Sequence, residues 1–373
     1  MDLDLTGGLD ARREYGFEDY PDTPDMRDAV NFWFCDDQGR FGMPRCVMEA
    51  TGPNWPDDRE ATVNIAFPDG RVYSLRDIKC KGPVSNKDAD GRPTIFAAGP
   101  IEFRLIDPFH KWTVAFSGEC AETSSLDQME GRSVAGEGRR AVPVQFEMTM
   151  DMAVPPWAPL THVEEGLRAI LTDDEIVYTH EWGPCHRQEQ LFRGAGTLMI
   201  GDNEAYTFTG SGLRVRRQNI FKVSEFTGHV WQSALFASGK AFGTNNYAPR
   251  RNGKPSYSEG WIFDGKDVVP ARVIQAQWLT RLAAHGDDVS LVLETNRGFH
   301  HIKGETFVST FEAHKPRVIR QNDPNLAFSP YLQQANVRYT WDGEEAFGMM
   351  ERSMTYTKLF PPAAENGWPE AQS

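Results

Sequence analysis

Hydrophobic and polar positions alternate with a period of two over much of this chain. In VQFEMTMDM, Phe146, Met148, Met150 and Met152 fall on one side and Gln145, Glu147, Thr149 and Asp151 on the other. KWTVAFSGE sets Trp112, Val114 and Phe116 against Thr113, Ala115 and Ser117, and GPIEFRLIDP aligns Ile101, Phe103 and Leu105. Successive side chains of a strand point to opposite faces, so the alternation predicts half-buried β-strands. NFWFCDD, RCVMEATG, ATVNIAF and RVYSLRDIKC read as further strands, with a hairpin turn at Pro68-Asp69-Gly70. The second half repeats this grammar, with strands near 187–200, 204–214, 218–225, 229–239, 258–264, 268–276, 289–295, 305–312 and 335–342, then MERSMTYTKLF. Gly201-Asp202-Asn203, Gly210-Ser211-Gly212, Arg251-Asn252-Gly253 and Asp264-Gly265 read as turns between them. Helical periodicity is nearly absent. One short helix is expected in THVEEGLRAIL, with Thr161 as cap and Glu164 three residues on.

The fold class is therefore all-β, built as two packed antiparallel domains. VPPWAPL carries three prolines in seven residues and cannot continue a central strand. It places the division between domains. The expected layout is an acidic arm over 1–28, a β domain over 29–153, a Pro-rich link and short helix over 154–174, a second β domain over 175–360, and a tail over 361–373. Residues 121–140 are polar and Gly-rich and read as a flexible loop.

Composition narrows the function classes. A chain of 373 residues with 40% hydrophobic residues has ample material for two cores. The net charge of −14 argues against nucleic acid and anionic membrane surfaces, since phosphate binding needs a basic face. Aromatics reach 12%, enough for packed cores and also for the lining of a pocket for a bulky apolar ligand. Cys35, Cys46, Cys80, Cys120 and Cys185 are odd in number and contain no CxxC pair, so neither a disulfide framework nor a zinc site is indicated. The acidic N-terminus lacks a basic segment followed by an apolar run, and no apolar stretch approaches the roughly 18 residues of a membrane span. A cytoplasmic protein is expected. A homodimer is compatible with the sequence.

Candidate chemistry gathers between His180 and Gly265. His186 and Glu189 pair a histidine with a carboxylate, a combination that serves as general acid and base once burial moves the pKa values toward neutrality. They are the first candidates for proton transfer, with His229, Tyr247 and Glu259 as alternates. Trp182, Trp231 and Trp261 would shape the cavity, and Gln190 and Asn245 would orient a substrate. The structural alternatives are an ion pair of Glu189 with Arg187 or Arg193 on an exposed face and, for His229, Trp231, Asn245, Tyr247, Glu259 and Trp261, a tryptophan-rich core whose polar neighbours face water. Asp107, His110 and Trp112 form a weaker set. A metal would need His180, His186 and His229 to converge, and no HxH or HExxH spacing supports it. P-loop, GxGxxG-helix and GxSxG signatures are absent.

The segments NFWFCDDQGRFG, FPDGRVYSL, DPFHKWTVAFSGE, RQEQLFRGAGTLMIGDNEAYTFTGSGLR and SEGWIFDGKDVVPARV carry a family resemblance across most of residues 30–356. The chain resembles the tandem lipocalin-like proteins related to AttH and carotenoid 1,2-hydratase, a group that includes Diels–Alderase-type pericyclases. The resemblance implies two lipocalin-like barrels or sandwiches and a lipophilic small-molecule substrate, terpenoid, steroid-like or polyketide. It implies hydration, dehydration, isomerisation or cyclisation without a cofactor. A non-catalytic carrier of the same ligands is the alternative. Glu189-Gln190 and Arg214 match the family pattern. The chain departs from it after Arg214, where Val215-Arg216-Arg217-Gln218-Asn219 replaces the usual Asp-His-Ser-Trp-Gly run. A mechanism using that Asp and His does not transfer.

Overall fold

A computed structural model describes residues 3–19, 21, 26–51, 57–130, 139–158, 186–202, 204–220, 228–248, 258–312 and 330–355. After a 3-10 turn (Ala11–Glu14) the chain forms β1 (Met26–Asp36), β2 (Gly42–Thr51), β3 (Arg59–Ala66), β4 (Arg71–Cys80), β5 (Ile95–Ala98), β6 (Ile101–Asp107) and β7 (Lys111–Ser124). A one-turn helix α1 (Ser125–Met129), β8 (Ala141–Met152), β9 (His186–Ile200) and β10 (Glu204–Ile220) follow. The remaining strands are β11 (Gly228–Leu235), β12 (Ala241–Tyr247), β13 (Ser258–Phe263), β14 (Val268–Gln275), β15 (Leu291–Thr295), β16 (Gly298–Glu312), β17 (Pro330–Trp341) and β18 (Glu344–Thr355).

The first ten strands make one antiparallel sheet in the order β4-β3-β2-β1-β10-β9-β8-β7-β6-β5, and a further pairing of β4 with β7 brings the sheet back on itself. Strands β11 to β18 form a closed barrel in sequence order. The period of two decides what fills each. In β8 the even residues Val142 to Met152 are buried and the odd ones mostly exposed. Phe116 and Phe146 face each other in register on β7 and β8 and stack at 5.4 Å. They join Phe32, Phe34, Phe103, Phe192 and Phe208 in the first core. Phe242, Tyr339 and Trp341 anchor the second, with Phe242 edge-on to Tyr339 at 5.1 Å. Each buried phenylalanine contributes roughly 2 kcal/mol of apolar transfer free energy.

Three expectations change. The Gly210-Ser211-Gly212 turn does not exist, because β10 runs unbroken from Glu204 to Ile220. These glycines make room: a Cβ on Gly212 would lie 2.1 Å from the Trp33 carbonyl oxygen and 2.5 Å from the Phe192 ring. Strands β9 and β10, which follow the Pro-rich link, belong to the first sheet. The change from one sheet to the other comes between Ile220 and Gly228, because β10 finds its partner in β1 across 11 residue pairs. Finally, β7 continues to Ser124 and α1 follows it, capped by Ser124 Oγ accepting from the Asp127 N–H, where an irregular loop was expected. The expected helix at Thr161 lies outside the described residues.

The two units meet along their outer faces. Trp33, Trp157, Leu191, Leu213 and Val215 from the first pack on Trp231, Leu235, Trp261, Phe263 and Met349 from the second. All eight residues of β11 are consequently buried, since one face fills the second barrel and the other covers the first sheet.

Candidate functional site

The seam between the two units is apolar at its centre and holds several ionisable groups. On β9 the odd positions Arg187, Glu189 and Leu191 point outward to the seam, while Gln188 and Gln190 point into the first barrel. On β11 and β12 the outward residues include His229, Trp231, Asn245 and Tyr247, brought side by side by the register His229–Tyr247 and Trp231–Asn245. Asn245 in turn faces Glu259 on β13.

Glu189 is 3% exposed. Its Oε2 accepts from Trp231 Nε1 at 2.9 Å, and its Oε1 lies 2.5 Å from Arg187 Nη2. The Arg187 guanidinium sits over the Trp231 ring at 4.8 Å, and the Asn245 amide oxygen, turned toward it, accepts from Nη1 at 2.8 Å. Trp33 packs edge-on against Trp231 at 4.7 Å. Burial is the largest influence on the Glu189 carboxyl and raises its pKa, with Arg187 and Trp231 pulling part of the way back. Glu259, 2% exposed, accepts from Trp157 Nε1 at 2.7 Å, and Trp157 stacks on Trp261 at 6.2 Å. The Trp157 and Glu189 main chains exchange two hydrogen bonds of 2.8 Å, which ties the end of the Pro-rich link to the acid.

A second group adjoins the first through Tyr247. His229 stacks on the Tyr247 ring at 5.6 Å; its Nδ1 is 2.6 Å from Ser353 Oγ and its Nε2 3.2 Å from Glu351 Oε1. Burial works against ionisation of Glu351, but the His229 hydrogen bond and the nearby Arg45 guanidinium outweigh it and hold the carboxyl down at about 2. Arg45 reaches this position from a left-handed backbone conformation (φ 66°) in β2. Burial raises the Tyr247 phenol pKa, and Arg187, Glu351 and Glu189 all act on it, so both groups share one electrostatic environment. Burial brings Arg217 down to about 10 against the pull of Glu49. The seam reaches the surface where Arg187 and Tyr247 are partly exposed.

Seven of the residues singled out in the sequence therefore share this seam: Glu189, His229, Tyr247, Glu259, Trp231, Asn245 and Trp261. Gln190 does not. It faces the interior of the first barrel, where its Nε2 donates to the Phe109 carbonyl at 2.9 Å and its Oε1 accepts from Arg214. His186 opens β9, but its side chain lies outside the described part of the chain, as do Trp182 and His180. In the weaker set, Trp112 is buried inside the first barrel, away from the exposed Asp107 and His110. An open groove of about 670 Å³ lies elsewhere, across exposed positions of β6 to β10 such as Glu102, Ala115, Glu147 and Thr197. It contains no tryptophan, and its Glu102 is held in an exposed ion pair with Arg104, so the chemistry is sought in the seam. Among the described residues no three His, Cys, Asp or Glu side chains gather as metal ligands would.

No family model and no curated protein matches the chain. Solved structures do. An AttH-type protein of Nitrosomonas europaea superposes with a TM-score of 0.55 at 11% identity, covering 90% of this chain and 94% of the other. CghA in complex with Sch210972 gives 0.54 at 11% identity over 89% of both chains. Kievitone hydratase of Nectria haematococca gives 0.51 at 7% identity over 95% and 96%. The chain shares with these structures a fold of two lipocalin-like β units. The two cores fill the barrel interiors with apolar side chains, and Glu189, His229, Tyr247, Glu259 and Asn245 lie between the barrels.

Sequence reasoning missed Trp157, Glu351, Ser353 and Arg45. Glu351 and Ser353 alternate in MERSMTY on one strand face, a signal that was present. Trp157 was hidden in a segment whose prolines read as a link. Arg45 depends on a backbone conformation that no pattern announces.

Proposed function

We propose that this tandem lipocalin-like protein is a cofactor-independent enzyme of the lyase or isomerase kind. Its substrate would be a lipophilic small molecule, terpenoid, steroid-like or polyketide, converted by hydration, dehydration, isomerisation or cyclisation. The observation that carries the reading is Glu189, a carboxyl buried among tryptophans whose pKa is raised by that burial. Burial in an aromatic site raises the pKa of this carboxyl against the pull of Arg187 and so favours its holding and handing over a proton. The fold likeness to a hydratase and to CghA, a Diels–Alderase-type protein, fits the same class of chemistry.

In a hydration, the Glu189 carboxyl gives its proton to an alkene carbon, and the electron pair of the double bond forms the new C–H bond. Tryptophan rings of the seam stabilise the cation. Water adds to the cation and loses a proton to the Glu189 carboxylate, which restores the acid. Loss of a carbon-bound proton to the carboxylate in place of water capture gives isomerisation. His229, held by Ser353 and Glu351, and Tyr247 flank the path of the returning proton. Asn245 fixes Arg187, which keeps the Glu189 oxygens oriented.

The test is turnover in D2O with a panel of terpenoid, steroid and polyketide alkenes. The expected result is one non-exchangeable C–D bond per turnover with the native protein and a loss of about 100-fold or more in Glu189→Gln. Binding without conversion by the native protein would make it a carrier and overturn the reading.

A further inference from the structure

The opposite face of β9 and β10 holds a second polar cluster, at one end of the first barrel and independent of the seam. Here the N-terminal arm closes the barrel, and Glu14 is fully buried. Its carboxylate collects an unusual number of donors. Trp112 Nε1 donates to Oε2 at 2.8 Å and the Phe109 N–H to the same oxygen at 3.4 Å; Arg214 Nη2 donates to Oε1 at 3.0 Å, and Gln188 Nε2 donates to Oε1 as well. Arg214 is fully buried and lies over the Trp112 ring at 4.8 Å. Its Nε and Nη1 have no hydrogen-bond partner among the described residues. Leaving buried guanidinium donors unpaired is costly, and a pair serving structure alone would satisfy them.

The arm is held by hydrogen bonds from side chains such as Gln190, Gln218 and Asn86 to its carbonyls, and not by sheet pairing. It contains one 3-10 turn of four residues and contributes no strand to the sheet. Arg216 holds it through the carbonyls of Glu14 (3.3 Å) and Tyr15 (2.7 Å). Leu5 and Tyr15 rest on the edge of the barrel core. The arm thus buries one carboxylate, that of Glu14, and rests the apolar Leu5 and Tyr15 on the core beside it, the layout of an amphipathic acid.

We propose that the end of the first barrel is a carboxylate-binding site, occupied in this structure by Glu14 of the protein's own arm, and that its external ligand is a monocarboxylic acid with an apolar chain. The donors on Gln188, Trp112 and Arg214 are the recognition set, and a free carboxylate that accepts from Arg214 Nη2 can also take up one of the idle donors beside it, Nε or Nη1, in the two-point geometry that guanidinium and carboxylate favour. The apolar chain takes the place of Leu5 and Tyr15. Binding requires the arm to leave.

The experiment is a fluorescence titration of the full-length protein with cis-parinaric acid and, as the neutral control, its methyl ester. Glu14→Ala is expected to bind the acid about tenfold or more tightly than the native protein, with no gain for the ester. Glu14→Ala combined with Arg214→Met is expected to lose the gain. An equal gain for the ester, or a gain that survives Arg214→Met, overturns the proposal; the second result would place the acid elsewhere, for instance in the seam. Should these variants fail to fold, hydrogen exchange of the native protein decides the matter. Exchange of residues 3–19 is expected to accelerate when the acid is added. Unchanged exchange up to the solubility limit of the acid overturns the proposal.

Discussion

At the scale of single residues the seam is governed by two glutamates that burial treats differently. For Glu189 burial outweighs Arg187, Trp231 and Arg217 and the pKa is raised; Glu351 has a histidine hydrogen bond and the Arg45 guanidinium nearby and is held down at about 2. Infrared titration of the native protein against Glu189→Gln should therefore show a carboxyl midpoint above the ordinary glutamate value. A midpoint at or below that value removes the proton donor. For Glu351 the sign is opposite. A depressed folded-state pKa gives stability that is complete above the unfolded value of 4.5 and is lost as the pH falls toward about 2. Glu351→Gln should be destabilised at neutral pH in urea unfolding, with the deficit shrinking between pH 4.5 and 2. A deficit that ignores pH would contradict the assignment. Trp157→Phe removes the donor to buried Glu259 and should cost about 1–3 kcal/mol in the same assay. A cost close to zero would mean that this hydrogen bond does not hold the link against the seam.

At the scale of elements, β10 shows what glycine does inside a strand. Gly210 and Gly212 let the rings of Phe34 and Phe192 lie against the backbone, and a Cβ at either would come within 2.0 to 2.1 Å of a carbonyl oxygen of β1. Main-chain atoms cannot move aside as a side chain can. Gly212→Ala should lower stability by about 2 kcal/mol or more, read as a drop in Tm; an unchanged Tm would show that the β1–β10 pairing is looser than the geometry requires. The same residues mark a limit of sequence reading. Two glycines around a serine have the composition of a turn, and only the pairing of β10 with β9 and β1 makes them a place of close approach. The alternation in β7 and β8 was legible because one face of each strand is wet. In β11 both faces are buried, so the pattern of HVWQSAL does not say which side is which.

At the scale of the whole molecule the two β units were readable from strand grammar, and the return of β9 and β10 to the first sheet was not. Prolines mark where a strand stops, whereas sheet membership depends on long-range pairing that leaves no local trace. The convergence of Glu189, His229, Tyr247, Glu259 and four tryptophans arises because the outer faces of two barrels are pressed together, and an outward face was the one expected to meet water. That packing puts the proposed acid in a dry aromatic seam. The most direct test is native mass spectrometry of the protein purified from cells, with organic extraction of what it holds, for the native chain and Glu189→Gln in parallel. The expected result is a lipophilic substrate trapped unconverted in Glu189→Gln and its hydrated, dehydrated or isomerised product in the native protein. The same unaltered molecule from both, or none from either, would contradict the claim that the seam performs acid catalysis.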